Sequence, residues 1–153
     1  MMTKPYTEQL NRVRRFLKRV RSTEDRLSDD YKDDLHAFFQ CCWHLKDWVK
    51  NDESIPEATR KRVVRRVEEN SKVLAACADV ANGTKHLKLF RKPRRPGARL
   101  NTGNNVTVFP GSDRPALFTH TVLCDDGTRL IAQDLAEEAV KEWDSVLRDE
   151  GLL

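Results

Sequence analysis

The residues in this chain best suited to chemistry are two histidines, each accompanied by an aspartate at helical spacing. His44 and Asp47 stand three apart in the stretch HLKDW, and Asp79, Asn82 and His86 follow one another at i, i+3 and i+7 in a later stretch. If a helix runs through Gly83, those three share one of its faces. An imidazole titrates near neutral pH, and a neighbouring carboxylate can orient it or compete for its proton. Two such faces brought together would make a hydrogen-bonded cluster, an acid–base pair or a metal site. The structural alternative is a satisfied polar cluster beside a helix that ends at Asn82-Gly83. His86 is the pivotal candidate catalytic residue, and Asn82, Lys85, Asp79, His44 and Asp47 are its companions. P-loop, GxGxxG, GxSxG and HExxH patterns are absent, and no cofactor is implied.

The elements that must position these groups start with the stretch from about Asp30 to Lys50. Tyr31, Leu35, Phe38, Cys42, Leu45 and Val49 form one helical stripe; Ala37, Cys41, His44 and Trp48 form a second, and Phe39 and Trp43 widen the apolar surface. His36, Gln40 and Asp47 occupy a third face. A helix apolar around most of its circumference requires neighbours on several sides, so this is the central helix of a bundle, capped by Ser28. A first helix over about Thr7 to Arg21 presents Leu10, Val13, Leu17 and Val20. A third, entered through Pro56 with Ser54 as its cap, offers only Val63, Val64 and Val67 and belongs on the outside. After a break at Asn70-Ser71, a fourth helix extends to about Leu89. Its small face, Ala75 to Ala81, suits close approach to Phe38, Phe39 or Trp43 on the central helix.

From Phe90 to Asn105 the composition turns to Arg, Pro, Gly and Asn, which predicts a basic loop. Strands are predicted at Val106 to Phe109, Ala116 to Cys124 and Thr128 to Ala132, the last two joined at Asp125-Asp126-Gly127. A C-terminal helix starts near Gln133 and ends at Gly151. The fold class is mainly α: a four-helix bundle with a small antiparallel β-hairpin element and a C-terminal helix. It forms one domain, with the bundle over 1–89, the loop over 90–105, the β element over 106–132 and the last helix over 133–150.

Charged residues make up 34% of the 153, and the formal net charge is only +4, so the distribution matters more than the total. Arg12 to Arg21 and Arg60 to Arg66 are basic runs whose ordinary role is a solvated helix face. Lys85 to Arg99 holds seven cations and no acid. Within it Lys88, Arg91, Lys92, Arg94, Arg95 and Arg99 are candidate nucleic-acid contacts, and the segment from Phe90 to Asn105 is the expected least ordered part of the chain. Acid gathers at Glu24 to Asp34 and along the last helix. No apolar run reaches membrane-spanning length and MMTKPYTEQL is no signal peptide, so a cytoplasmic protein without a membrane partner is expected. Four cysteines without a CxxC pair indicate reduced core thiols rather than structural zinc.

The pairing of HLKDW, His44 to Trp48, with NGTKH, Asn82 to His86, resembles the HEPN superfamily of small helical bundles with a polar, His-containing motif on a late helix. The resemblance spans roughly Thr7 to Leu89; the hairpin and final helix lie outside it. It implies a metal-independent endoribonuclease acting as a homodimer, of the kind found in toxin–antitoxin, phage-defence and RNA-processing systems. In that chemistry His86 would serve as acid or base at a ribose 2′-OH while an Arg held the phosphate. The positions where that Arg would stand carry Asp79, Val80 and Ala81. RNA binding or processing is therefore the leading expectation. A non-catalytic module that dimerises or holds a protein partner is the alternative, and a metal-dependent hydrolase using the His and Asp residues is third.

Overall fold

The computed structural model describes residues 4–86, 99–107, 110, 111, 113, 117–123 and 127–153, with 83–86, 99–107 and 117–119 described by their backbone. The chain is mainly α. Its elements run α1 (Pro5–Ser22), α2 (Asp29–Asn51), α3 (Glu57–Glu69), α4 (Lys72–His86), β1 (Arg99–Thr107), β2 (Leu117–Leu123), β3 (Arg129–Ile131) and α5 (Ala132–Asp149). The strands form one antiparallel sheet in the order β1-β2-β3.

α2 is the hub, in contact with α1, α3, α4 and α5. The Ser28 side chain accepts a hydrogen bond from the Tyr31 amide at 3.1 Å, which satisfies one of the otherwise unpaired amides of the first turn. All six residues of its main stripe are buried, and so are Phe39 and Trp43. The second stripe lies at the boundary: His44 is exposed and Ala37, Cys41 and Trp48 are half-buried. There the Arg12 guanidinium covers the Trp48 ring, 5.5 Å from its centroid. Gln9 of α1, itself buried, donates to the Cys41 carbonyl at 3.0 Å and fixes the α1–α2 crossing.

α3 is peripheral, burying only Val63 and Val67. Its cap differs from expectation. Pro56 is the N-cap, without a side-chain cap bond, while Asp52 accepts from both the amide and the hydroxyl of Ser54 at 2.9 and 2.6 Å. The Asp52 carboxylate thus closes the α2–α3 turn that the sequence assigned to Ser54. At the Asn70-Ser71 break, the Ser71 hydroxyl accepts from the Leu74 amide at 3.1 Å and starts α4. α4 packs on α2 as expected, and Leu74 and the whole run Ala76–Ala81 are buried. The helix continues through Asn82 and Gly83 to His86; the expected extension to Leu89 falls outside the described residues.

The basic loop expected over 90–105 is corrected in its second half, because Arg99 to Asn105 belongs to β1. Residues 90–98 lie outside the described set, as does their expected lack of order. Pairing with β2 overrides the loop-like composition, with a register irregularity between Asn101 and Asn105. Gly127, at φ 85°, occupies the left-handed region on the β3 side of the predicted turn.

α5 is integral to the bundle. It contacts α1, α2, α3, α4, β2 and β3 and buries eight residues, including Trp143, whose indole donates to the Cys42 carbonyl at 3.1 Å. Its end is a left-handed cap: Gly151 has φ 69° and the Leu152 amide bonds the Leu147 carbonyl at 2.8 Å. The Tyr6 hydroxyl then holds the Leu152 carbonyl at 2.6 Å, joining the two ends of the described chain.

This placement of α5 accounts for the uneven charge. Its acids face the basic runs of two other helices. Arg14 meets Asp144 at 2.7 Å and Arg21 meets Glu137 at 2.8 Å from α1; Arg62 meets Glu150 at 3.0 Å and Arg66 meets Asp149 at 2.7 Å from α3. These four arginines thus make inter-helix contacts, while Arg15, Lys18 and Arg65 stay on the solvated faces of their helices. Each pair is partly exposed and contributes at most about 1 kcal/mol, so the set fixes register more than it supplies stability.

Candidate functional site

α2 and α4 cross so that their polar positions open a pocket of about 460 Å³ lined by Gln40, Trp43, His44 and Asp47 from α2 and by Ala81 and Asn82 from α4. Three of the expected site residues, His44, Asp47 and Asn82, therefore meet. His44 is exposed at the rim, Gln40 and Asn82 are half-buried, and Trp43 is a buried floor. The small Ala81 side chain leaves room between the two helices. The cluster is an open polar pocket rather than a dry, fully bonded knot.

Asp47 is held by its sequence neighbour. The Lys46 ammonium lies 3.0 Å from Asp47 Oδ1, 3.4 Å from Glu68 Oε1 on α3, and 4.8 Å from the centroid of the Trp43 ring. The Lys46 side chain is only 13% exposed, so its charge is desolvated and directed at these groups. One carboxylate oxygen of Asp47 is engaged, and the side chain remains half-exposed.

Asp79 is corrected. It is 1% exposed and does not line the pocket, because its position on α4 belongs to the buried run Ala76–Ala81. Its helical spacing to Asn82 is real, but the three-residue step carries it into the core. Lys85 and His86 lie on the last turn of α4, with His86 one turn beyond Asn82; their side chains, and Lys88, Arg91, Lys92, Arg94 and Arg95, lie outside what is described, while the backbone of Arg99 opens β1. Among the described residues no group of three or more His, Cys, Asp or Glu side chains could hold a metal ion. His44 and Asp47 are a pair, and the Lys46 ammonium already occupies the carboxylate. Gln40 is the lining residue that spacing alone did not single out for this site; its only signal was the face it shares with Asp47.

His36, placed on that same face by the sequence, lies elsewhere. It belongs to a second polar locus with His120 of β2, whose Nε2 donates to the Arg26 carbonyl at 2.7 Å and whose ring stacks obliquely on Tyr31 at 5.3 Å. The Nδ1 atoms of His36 and His120 and the Thr121 hydroxyl are buried without a hydrogen-bond partner among the described residues. Burial pushes the His36 pKa below its usual value, helped by Lys32 and His120 and opposed by Asp33. The folded state then binds fewer protons than the unfolded chain. The His36 contribution to stability is fully present above about pH 6.5 and is lost as pH falls through the lowered folded value. Glu137, held below the usual carboxylate range chiefly by its bond to Arg21, loses its contribution only in more acid solution. The urea midpoint should therefore start to fall below about pH 6.5, and His36→Gln should flatten that limb. A wild-type midpoint unchanged from about pH 7.5 to about pH 5 would contradict the assignment.

The fold and its pocket define a class: a helical bundle with α5 built into its core, a small antiparallel sheet, and an open polar pocket between α2 and α4. Among the described residues no helix is long and apolar enough to cross a membrane. No protein-family model, curated protein or solved structure matches the chain.

Proposed function

We propose that this protein is a HEPN-like RNA-binding domain that holds single-stranded RNA at the α2–α4 pocket and does not cleave it efficiently. The observation that carries this reading is the meeting of His44, Asp47 and Asn82 in one open pocket, with His86 a single helical turn beyond Asn82. Both motifs of the resemblance thus contribute to one locale. The basic segment follows His86 directly in sequence, which sets its phosphate-attracting cations next in the chain to the Asn82–His86 motif. Against cleavage stands the place of the expected Arg: Asp79, Val80 and Ala81 are buried, and no guanidinium there could stabilise a phosphate in the transition state. The openness of the pocket favours this reading over a purely structural His cluster.

The test is binding of labelled single-stranded RNA by wild type and by His86→Gln and His44→Gln, with thermal melting of each. Affinity should fall about tenfold or more in at least one variant, without a comparable loss of stability, since hydrogen bonds to charged groups are worth about 1.5–3 kcal/mol. Cleavage should be slight and insensitive to chelators. Wild-type affinity in both variants, or no RNA binding by the wild type, would overturn the proposal.

A further inference from the structure

We propose that the α2–α4 pocket is a nucleobase subsite that reads the amino edge of an unpaired adenine or cytosine. The inference rests on the RNA-binding reading and supplies the substrate preference of the same site. Its starting point is the chemistry of the lining. Gln40 on α2 and Asn82 on α4 present carboxamides from opposite walls, and neither side chain is hydrogen-bonded to another described residue. A carboxamide carries one acceptor and a donor pair in a plane, the complement of an amino group beside a ring nitrogen. Adenine offers N6–H with N7, and cytosine offers N4–H with N3.

A carboxamide alone would also accept uracil, by pairing its oxygen with N3–H and its nitrogen with O4. Discrimination comes from Asp47. Lys46 holds Oδ1 at 3.0 Å, keeping the carboxylate in place and leaving its other oxygen as an acceptor. An exocyclic amine has a second N–H to give that oxygen. The O4 of uracil or O6 of guanine would instead set acceptor against acceptor in a partly desolvated pocket. The remaining walls suit a flat ring: Ala81 leaves space, Trp43 gives an apolar floor, and the exposed imidazole of His44 can stack at the rim or bond the ribose.

Fluorescence anisotropy of the full chain with short labelled homopolymers tests this. Oligoadenylate and oligocytidylate should bind about fivefold or more tighter than oligouridylate, the low end of what one bidentate base contact discriminates. Asp47→Asn is nearly isosteric and can donate to uracil O4, so it should narrow or invert the ratio. Asn82→Ala and Gln40→Ala should each shrink it. Equal binding of the adenine and uracil polymers, or a ratio untouched in all three variants, overturns the base reading and leaves RNA binding standing. Failure of every homopolymer to bind overturns both.

Discussion

Trp143→Ala should destabilise the fold by about 3–5 kcal/mol, the cost of emptying a large aromatic site in a packed core. The indole is fully buried and sits where α5 meets α2, its N–H bonded to the Cys42 carbonyl at 3.1 Å. Alanine leaves a cavity lined by helices whose crossings are fixed elsewhere, by Gln9 on Cys41 and by the ion pairs from α1 and α3 to α5. Such a site collapses poorly. Since domains of this size have about 5–15 kcal/mol in total, the loss should show as a large fall in urea midpoint with little change in slope. Trp143→Phe keeps most of the ring and removes only the bond, so it should cost less. A midpoint shift worth less than about 1 kcal/mol for the alanine variant would mean that α5 is not part of the core. Phe38→Ala, also fully buried, belongs in the same range. Trp43→Ala should in addition disturb the pocket it floors.

Periodicity made most of the bundle legible. The stripe Tyr31 to Val49, the Ser28 cap, the Asn70-Ser71 break and the Gly151 terminus all follow from residue type and spacing, because side chains alone set those choices. Spacing said less about what lies beyond each face. Asp79 keeps helical register with Asn82, yet the register does not say which sides of α4 the rest of the fold covers, and Asp79 falls on a buried one. The basic runs were visible, but the partners of Arg14, Arg21, Arg62 and Arg66 lie 83 to 130 residues away on or just after α5, a separation no local pattern reports. β1 begins at Arg99 because β2 offers a hydrogen-bonding edge, and a sequence rich in Asn and Gly takes the extended form when one is present. The candidate pocket was half legible: HLKDW and NGTKH named His44, Asp47 and Asn82. Gln40 entered only when the helix crossing fixed which α2 face meets α4.

The proposed RNA affinity should depend steeply on salt, and the dependence should lie in the segment after α4. In the bundle the cations of α1 and α3 are largely committed, as the pairs of Arg14, Arg21, Arg62 and Arg66 with α5 show. Arg91, Lys92, Arg94, Arg95 and Arg99 have no acidic neighbour in sequence, so their counterions are free to be released when a phosphate binds. Each contact with a single strand lowers the slope of log affinity against log salt by about 0.7, so neutralising five should remove up to about 3.5. Between about 50 and 200 mM salt the wild type should then lose about 100-fold more affinity than the variant. Replacing Arg62 and Arg66 should instead loosen α3 from α5 and leave the salt slope nearly unchanged. If the five-fold neutralised chain bound RNA with wild-type affinity and wild-type slope, those cations would serve solubility, and phosphate contact would have to be sought among Arg15, Lys18 and Arg65, exposed helix positions for which no ion pair is seen among the described residues.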